Sequence, residues 1–139
     1  FKWYLIGYGP DEQLIKNLIN EYNLQDTVII LGKKDNPYPY IKECDIYAQP
    51  SRYEGKAVTV IEAQILNRSV MITRYATSAA QLQEGVDGYI CEMGVNGIVD
   101  GIEHLINNSQ MRNQLVENTK KCCYDNSHVV DDIFNLMEF

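Results

Sequence analysis

The stretch Pro50-Ser51-Arg52-Tyr53-Glu54-Gly55-Lys56-Ala57-Val58-Thr59-Val60-Ile61-Glu62-Ala63 decides how the rest of the chain is read. Its first half is turn chemistry, since Pro50, Ser51 and Gly55 disfavour regular structure. Its second half opens a nearly continuous apolar run, Ala57 to Leu66, long enough for a buried helix. One carboxylate, Glu62, stands inside that run. An ionised carboxylate is costly to bury unless something pairs with it, so Glu62 calls for a partner. Glu54 lies in the loop that feeds the helix. Eight positions at ~100° each return a helix to within roughly 80° of its starting direction. A Glu at the helix mouth and another two turns in are thus placed to line one crevice. Lys56 and the unbonded N–H groups of the first turn complete an anion-binding constellation.

On either side, strand and helix patterns alternate. Phe1 to Tyr8 reads as a short, aromatic-rich buried strand. Gly7-Tyr8-Gly9 turns the chain, and Pro10 suits the first position of a helix with Asp11 and Glu12 in its first turn. Leu14, Ile15, Leu18, Ile19 and Tyr22 follow at helical spacing. Without a third Gly, Gly7-x-Gly9 reads first as a structural turn, with a phosphate cradle as the alternative. Thr27 to Leu31 is a second strand, followed by the turn-rich loop Gly32-Lys33-Lys34-Asp35-Asn36-Pro37. That loop lies at a strand's carboxyl end, where open α/β sheets bind ligands. Tyr38-Pro39-Tyr40 leads into a short helix. Asp45 to Gln49 is the strand that delivers the chain to the central stretch, whose helix runs to Asn67. Ser69 to Thr73 and Gly88 to Cys91 are further strands, and Thr77-Ser78 between them has the chemistry of a helix N-cap. Helices are expected from Val95, from Ser109 to about Tyr124, and over Val130 to Met137. The pattern predicts an α/β fold with a parallel, helix-covered sheet.

Composition narrows the function. The chain has 139 residues, one domain's worth, and a net charge of −7 that argues against a nucleic-acid surface. Lys33, Lys34, Arg52 and Lys56 nevertheless cluster in a short part of the chain, consistent with a local anion site or with solvated surface lysines. Four cysteines, Cys44, Cys91, Cys122 and Cys123, show no metal spacing and read as incidental or buried thiols of a reducing, cytoplasmic environment. No apolar run reaches membrane-spanning length. The chain begins at Phe1, directly in a strand, and is expected to be a fragment.

Two glutamates seven residues apart inside the central stretch, after a Pro-Ser and ending in Glu-Ala, resemble the donor-site motif of the family 4 retaining glycosyltransferases. Gly7-Tyr8-Gly9-Pro10, Val28-Ile29-Ile30-Leu31-Gly32, Asn36-Pro37-Tyr38-Pro39-Tyr40, Cys44-Asp45-Ile46-Tyr47 and Asp87-Gly88-Tyr89-Ile90 match in the same order. The likeness runs from the first residue to about Cys91. It implies the Rossmann-like C-terminal half of a GT-B fold, so that residues 1–139 are the nucleotide-sugar-binding domain of a two-domain protein. The first strand–helix unit, with its diphosphate-binding Arg and Lys, and the acceptor domain are absent from the chain. The segments 1–8 and 45–49 are then not expected to pair as they do in an intact domain.

The resemblance also implies roles. Glu54 is the catalytic carboxylate, holding the donor sugar's hydroxyls and steadying positive charge at its anomeric carbon. Glu62 accepts hydrogen bonds from the ribose diol. Backbone groups at Gly55, Lys56, Ala57, Val58 and Thr59 face phosphates and sugar, and those at Gly32, Lys33 and Lys34 receive the base. The partners are a nucleotide diphosphate sugar and a glycan or lipid-linked acceptor, in bacterial surface polysaccharide synthesis, with no metal or other cofactor. The parent is expected in the cytoplasm, at the inner face of the membrane if attached to one. Lys56 and Ala57 replace the aromatic and Gly common in the family. Alternatives are a GT-B nucleotide-sugar epimerase, for which no catalytic His or acid pattern is found, and a non-catalytic nucleotide-sugar-binding module. In a purely structural reading, Glu54 complements the helix dipole and Glu62 is satisfied by a neighbouring loop.

Overall fold

The computed structural model describes residues 1–122 and Tyr124. Cys123 and the helix expected over Val130 to Met137 lie outside the described residues. The chain divides into two compact units, Phe1–Pro39 and a second beginning at Tyr40.

The first unit is β1 (Trp3–Ile6), α1 (Glu12–Glu21) and β2 (Val28–Gly32). The two strands are parallel, Trp3 opposite Val28 and Leu5 opposite Ile30, with an irregularity between Leu5 and Ile6. Pro10 does not start the helix. It sits in the turn before it, where the Glu12 N–H donates to the Gly9 carbonyl at 3.2 Å. α1 ends as its sequence allows: Asn23 adopts φ +53°, and the Asn23 and Leu24 N–H groups return to the carbonyls of Asn20 and Ile19. Such left-handed closure suits Gly best and Asn next, because an ordinary side chain crowds the backbone there. No residue of this unit is fully buried.

The second unit is built on β4 (Ser69–Thr73), every residue of which is buried. β3 (Ile46–Gln49) and β5 (Tyr89–Cys91) flank it in the order β3-β4-β5, all parallel. Side chains alternate across a strand, so β4 feeds two cores. Val70 and Ile72 pack with Val60, Ala63, Leu82 and Ile90 on the side of α3 (Val58–Ile65). Met71 packs with Cys91, Leu105 and Leu115 on the side of α5 (Val95–Asn107) and α6 (Ser109–Thr119). A strand covered on both faces reads as an unbroken apolar run, as this one nearly does. Two short helices, α2 (Tyr38–Glu43) and α4 (Ser78–Gln81), complete the element order.

The expected parallel, helix-flanked strands are present, but the described strands form two ladders rather than one. Helix ends also move inward from the sequence reading. α3 stops at Ile65 because Asn67, at φ +57°, closes it in the same way as Asn23 closes α1. α6 ends at Thr119, short of Tyr124.

α5 approaches the sheet at Gly101, where a Cβ would stand 2.6 Å from the Cβ of Cys91 and 3.1 Å from the sulfur of Met71. A strand Cβ cannot swing aside as a flexible chain end does. Gly101→Ala should therefore lower stability by about 1–3 kcal/mol through overpacking, despite a helix-propensity gain of about 1 kcal/mol. The midpoint of urea unfolding measures it, and an unchanged or higher midpoint refutes the close packing.

Candidate functional site

Residues 50–57 link β3 to α3, and their backbone is held from one side by the end of β4 and the segment that follows it. The Thr73 hydroxyl donates to the Ser51 carbonyl. The Thr77 hydroxyl donates to the Glu54 carbonyl at 2.7 Å. The Gln81 side-chain carbonyl accepts the Ala57 N–H at 2.9 Å. A loop without regular hydrogen bonds must place its backbone groups somewhere, and here two carbonyls and one N–H find side chains more than twenty positions away. Thr77 therefore does not act as the N-cap its sequence suggests: no side-chain cap bond forms at α4.

The same loop carries Glu54, which is half-buried. Its Oε1 accepts from Gln49 Nε2 at 2.8 Å and from the Ser51 hydroxyl at 2.7 Å. Gln49 Oε1 in turn accepts from the hydroxyls of Tyr47 at 2.9 Å and Thr59 at 2.8 Å. The result is one connected network of five side chains from the end of β3, the loop and the first turn of α3. Burial pushes the Tyr47 hydroxyl's pKa up; the Thr59 bond opposes this, and the charges of Glu62 and Glu54 add to it. Tyr47 is accordingly a donor at neutral pH.

Tyr75 is a further neighbour. It is 3% exposed and its hydroxyl has no hydrogen-bond partner among the described residues. Burial raises its pKa, with the Glu54 charge second.

Glu62 is half-buried in the second turn of α3, not enclosed as the apolar run suggests. The polar side chain that α3 does enclose is Gln64, 3% exposed, whose Nε2 donates to the Asp87 carbonyl at 3.1 Å. At the mouth of α3, Val58 and Thr59 supply first-turn N–H groups that precede any intrahelical acceptor. The Ala57 N–H, expected to be open to a ligand, is taken by Gln81. Gly55 and Lys56 are exposed, and among the described residues neither Arg52 nor Lys56 enters an ion pair.

Gly32, Lys33 and Lys34 belong to the first unit. Gly32 closes β2 at φ +68°, a conformation open to Gly at no steric cost. Its carbonyl accepts the Gly7 N–H at 3.0 Å, and Lys33 Nζ lies 5.7 Å from the centre of the Tyr8 ring. A cavity of about 330 Å³ opens beside this turn, lined by Leu5, Ile6, Tyr8, Ile15 and Ile30 together with Asp11 and Glu12. Its lining holds acids and apolar groups but no cation, which suits an anionic ligand poorly.

Gln49 and Tyr47 in the network, and Thr73 and Gln81 bracing the loop backbone, escaped the sequence reading. One signal was available for two of them: Tyr47 and Gln49 alternate on one face of a strand and end at its carboxyl edge, where polar groups have no core to serve. Among the described residues no group of three or more His, Cys, Asp or Glu is arranged for a metal ion. No helix there is long and apolar enough to cross a membrane. Cys44 is half-buried and its thiol is pushed up to about 11 by desolvation, so it is not a nucleophile at neutral pH.

Comparison with known proteins places this geometry in context. The family model described as glycosyl transferases group 1 matches residues 1–122. N-acetyl-alpha-D-glucosaminyl L-malate synthase of Bacillus anthracis is 26% identical over 125 residues, 89% of this chain and 33% of that protein. Poly(ribitol-phosphate) alpha-N-acetylglucosaminyltransferase of Staphylococcus aureus is 28% identical over 110 residues, 77% of this chain and 22% of that protein. Among solved structures, Anabaena HepE in complex with UDP superposes with a TM-score of 0.84 at 18% identity, over 98% of this chain and 40% of that one. Its fold is shared, and the solved neighbours are GT-B glycosyltransferases. The chain spans about a third of the length of the first curated relatives it matches.

The clamp on the loop gives a direct expectation. Thr77→Val keeps the shape but leaves the Glu54 carbonyl without its donor. It should cost about 1–2 kcal/mol of stability, read from chemical denaturation. No loss would mean that the carbonyl is satisfied equally well by water.

Proposed function

The chain belongs to the group 1 glycosyltransferases, and from that premise we propose that it is the donor-binding domain of a retaining enzyme. That enzyme moves a sugar from a nucleotide diphosphate sugar to a glycan or lipid-linked acceptor in surface polysaccharide synthesis. The observation that carries the proposal is the Glu54 carboxylate, fixed through one oxygen beside the mouth of α3. The relatives named as an N-acetylglucosaminyl transferase and an N-acetylglucosaminyl malate synthase support the substrate class, as does UDP in the Anabaena structure. A cytoplasmic setting, where nucleotide sugars are made, belongs to the same proposal.

The chemistry follows from charge. Breaking the glycosidic bond of the donor leaves negative charge on the departing diphosphate and positive charge at the anomeric carbon. Preorganised N–H groups and cations aimed at the first are worth most, because they need not reorient as the charge develops. In the proposal the N–H groups at Val58 and Thr59, with Gly55 and Lys56 before them, meet the diphosphate. Ala57 joins them only if Gln81 yields its N–H. Glu54 faces the donor sugar and steadies the anomeric charge. Glu62 grips the ribose diol, two adjacent hydroxyls that one carboxylate accepts together. On the first unit, Gly32, Lys33 and Lys34 are proposed to meet a base through backbone groups.

The intact protein is tested with UDP-glucose, UDP-N-acetylglucosamine, GDP-mannose and ADP-glucose, together with a lipid and glycan fraction from the cell envelope. A new glycosidic bond with retained anomeric configuration is expected; an inverted bond, an epimerised donor or an unchanged donor overturns the reading. Glu62→Gln then tests the ribose contact. Hydrogen bonds to charged groups contribute roughly 1.5–3 kcal/mol, so donor affinity should fall about ten-fold to a hundred-fold with little change in Tm. A 2′-deoxy donor should bind wild type poorly and lose little more in the variant. Equal discrimination against that donor by variant and wild type removes Glu62 from the ribose.

A further inference from the structure

A carboxylate on a surface loop has free rotors, and ordering such a side chain costs conformational entropy. Glu54 reaches a single orientation only because something rigid holds it. Ser51 belongs to the same loop and moves with it. Gln49 does not: it ends β3, paired to β4 along its length with Gln49 opposite Ile72.

The Gln49 amide is committed at both ends. Its oxygen takes hydroxyl protons from Tyr47 and Thr59, and its nitrogen donates to Glu54 Oε1. A carboxylate only accepts, so the reversed amide would set two oxygens 2.8 Å apart and is excluded by repulsion. The direction of the whole chain of hydrogen bonds is thereby set, from the first turn of α3 and from β3 towards the carboxylate. Both hydrogen bonds that Glu54 accepts among the described residues fall on Oε1. Oε2 accepts none among the described residues.

We propose that Gln49 is a positioning residue, its amide transmitting the rigidity of β3 and of the α3 mouth to Glu54 so that Oε2 is presented to the donor sugar. The inference rests on the reading of Glu54 as the sugar-facing carboxylate. Gln49 touches no substrate. It acts by fixing where negative charge stands when positive charge develops at the anomeric carbon. Its loss is felt in the transition state more than in donor binding.

Three variants of the intact protein separate the possibilities, with nucleoside diphosphate release measured on whichever donor the panel above shows to be turned over. Glu54→Gln should abolish turnover; full activity there removes the functional reading of Glu54 and this inference with it. Gln49→Met keeps length and removes both hydrogen-bonding ends. It should lower kcat about tenfold or more while the donor KM stays within about threefold. Gln49→Glu supplies a readout that a structural role would not move. Two carboxylates at this distance cannot both ionise freely, so one pKa rises. When protonated, Glu at position 49 can again donate to Glu54, and activity should return towards wild type as pH falls. The titratable groups around this cluster are Tyr47, Glu54, Glu62, Cys44 and Tyr75, all present in wild type, whose profile supplies the baseline. If Glu54→Gln is inactive but Gln49→Glu keeps the wild-type pH profile and rate, Gln49 positions nothing and the inference falls alone. Should Gln49→Met fail to fold, the Gln49→Glu profile still decides.

Discussion

Burial of β4 on both faces is the constraint from which the second unit follows. A strand with water on neither side needs a ladder partner on each edge and a helix layer on each face. β3 and β5 supply the edges, while α3 covers one face and α5 with α6 the other. The alternation that splits Val70 and Ile72 from Met71 leaves no register freedom, since a one-residue slip would exchange the two cores. At the end of this strand the apolar run gives way to Thr73, buried at 2% exposure with its hydroxyl turned to the Ser51 carbonyl. The fully buried strand of the fold thus ends in the first of the three contacts that shape the loop.

The loop shows how backbone groups beside an apolar core are matched by side chains distant in sequence. Its carbonyls at 51 and 54 and its N–H at 57 are matched by Thr73, Thr77 and Gln81. Its half-buried carboxylate, Glu54, is matched by an amide and a hydroxyl. Among the described residues, what remains open is small and specific: the first-turn N–H groups at Val58 and Thr59, the far oxygen of Glu54 and the buried hydroxyl of Tyr75. A hydroxyl or phosphate ligand has complementary chemistry for each.

The first unit obeys different physics. A two-stranded ladder with one helix cannot enclose a core, and Tyr4, Leu14 and Leu18 remain 41–56% exposed. What it does define is a turn: Gly7 and Gly32 in conformations that favour glycine, joined by a hydrogen bond, with the Lys33 ammonium near the Tyr8 ring. The Gly-x-Gly segment therefore behaves as the structural turn that its missing third Gly suggests.

Local pattern was sufficient for much of this. Strand and helix order among the described residues and the parallel class were legible in the amino-acid order. Each depends on neighbours within a few positions or on a spacing that recurs. The sequence could not show which polar residue α3 buries: Gln64 and Glu62 both sit in an apolar run, and only the packing against Asp87 separates them. Nor could it reveal that Thr77 braces a loop carbonyl rather than capping its own helix, or that Gln81 reaches Ala57. Partners twenty-two to twenty-four residues apart leave no periodic trace. A hydroxyl or amide reads the same whether it meets water, its own helix or a distant carbonyl. That choice belongs to the tertiary structure, because burial is what makes an unmatched polar group costly and so decides which of the possible partners is taken.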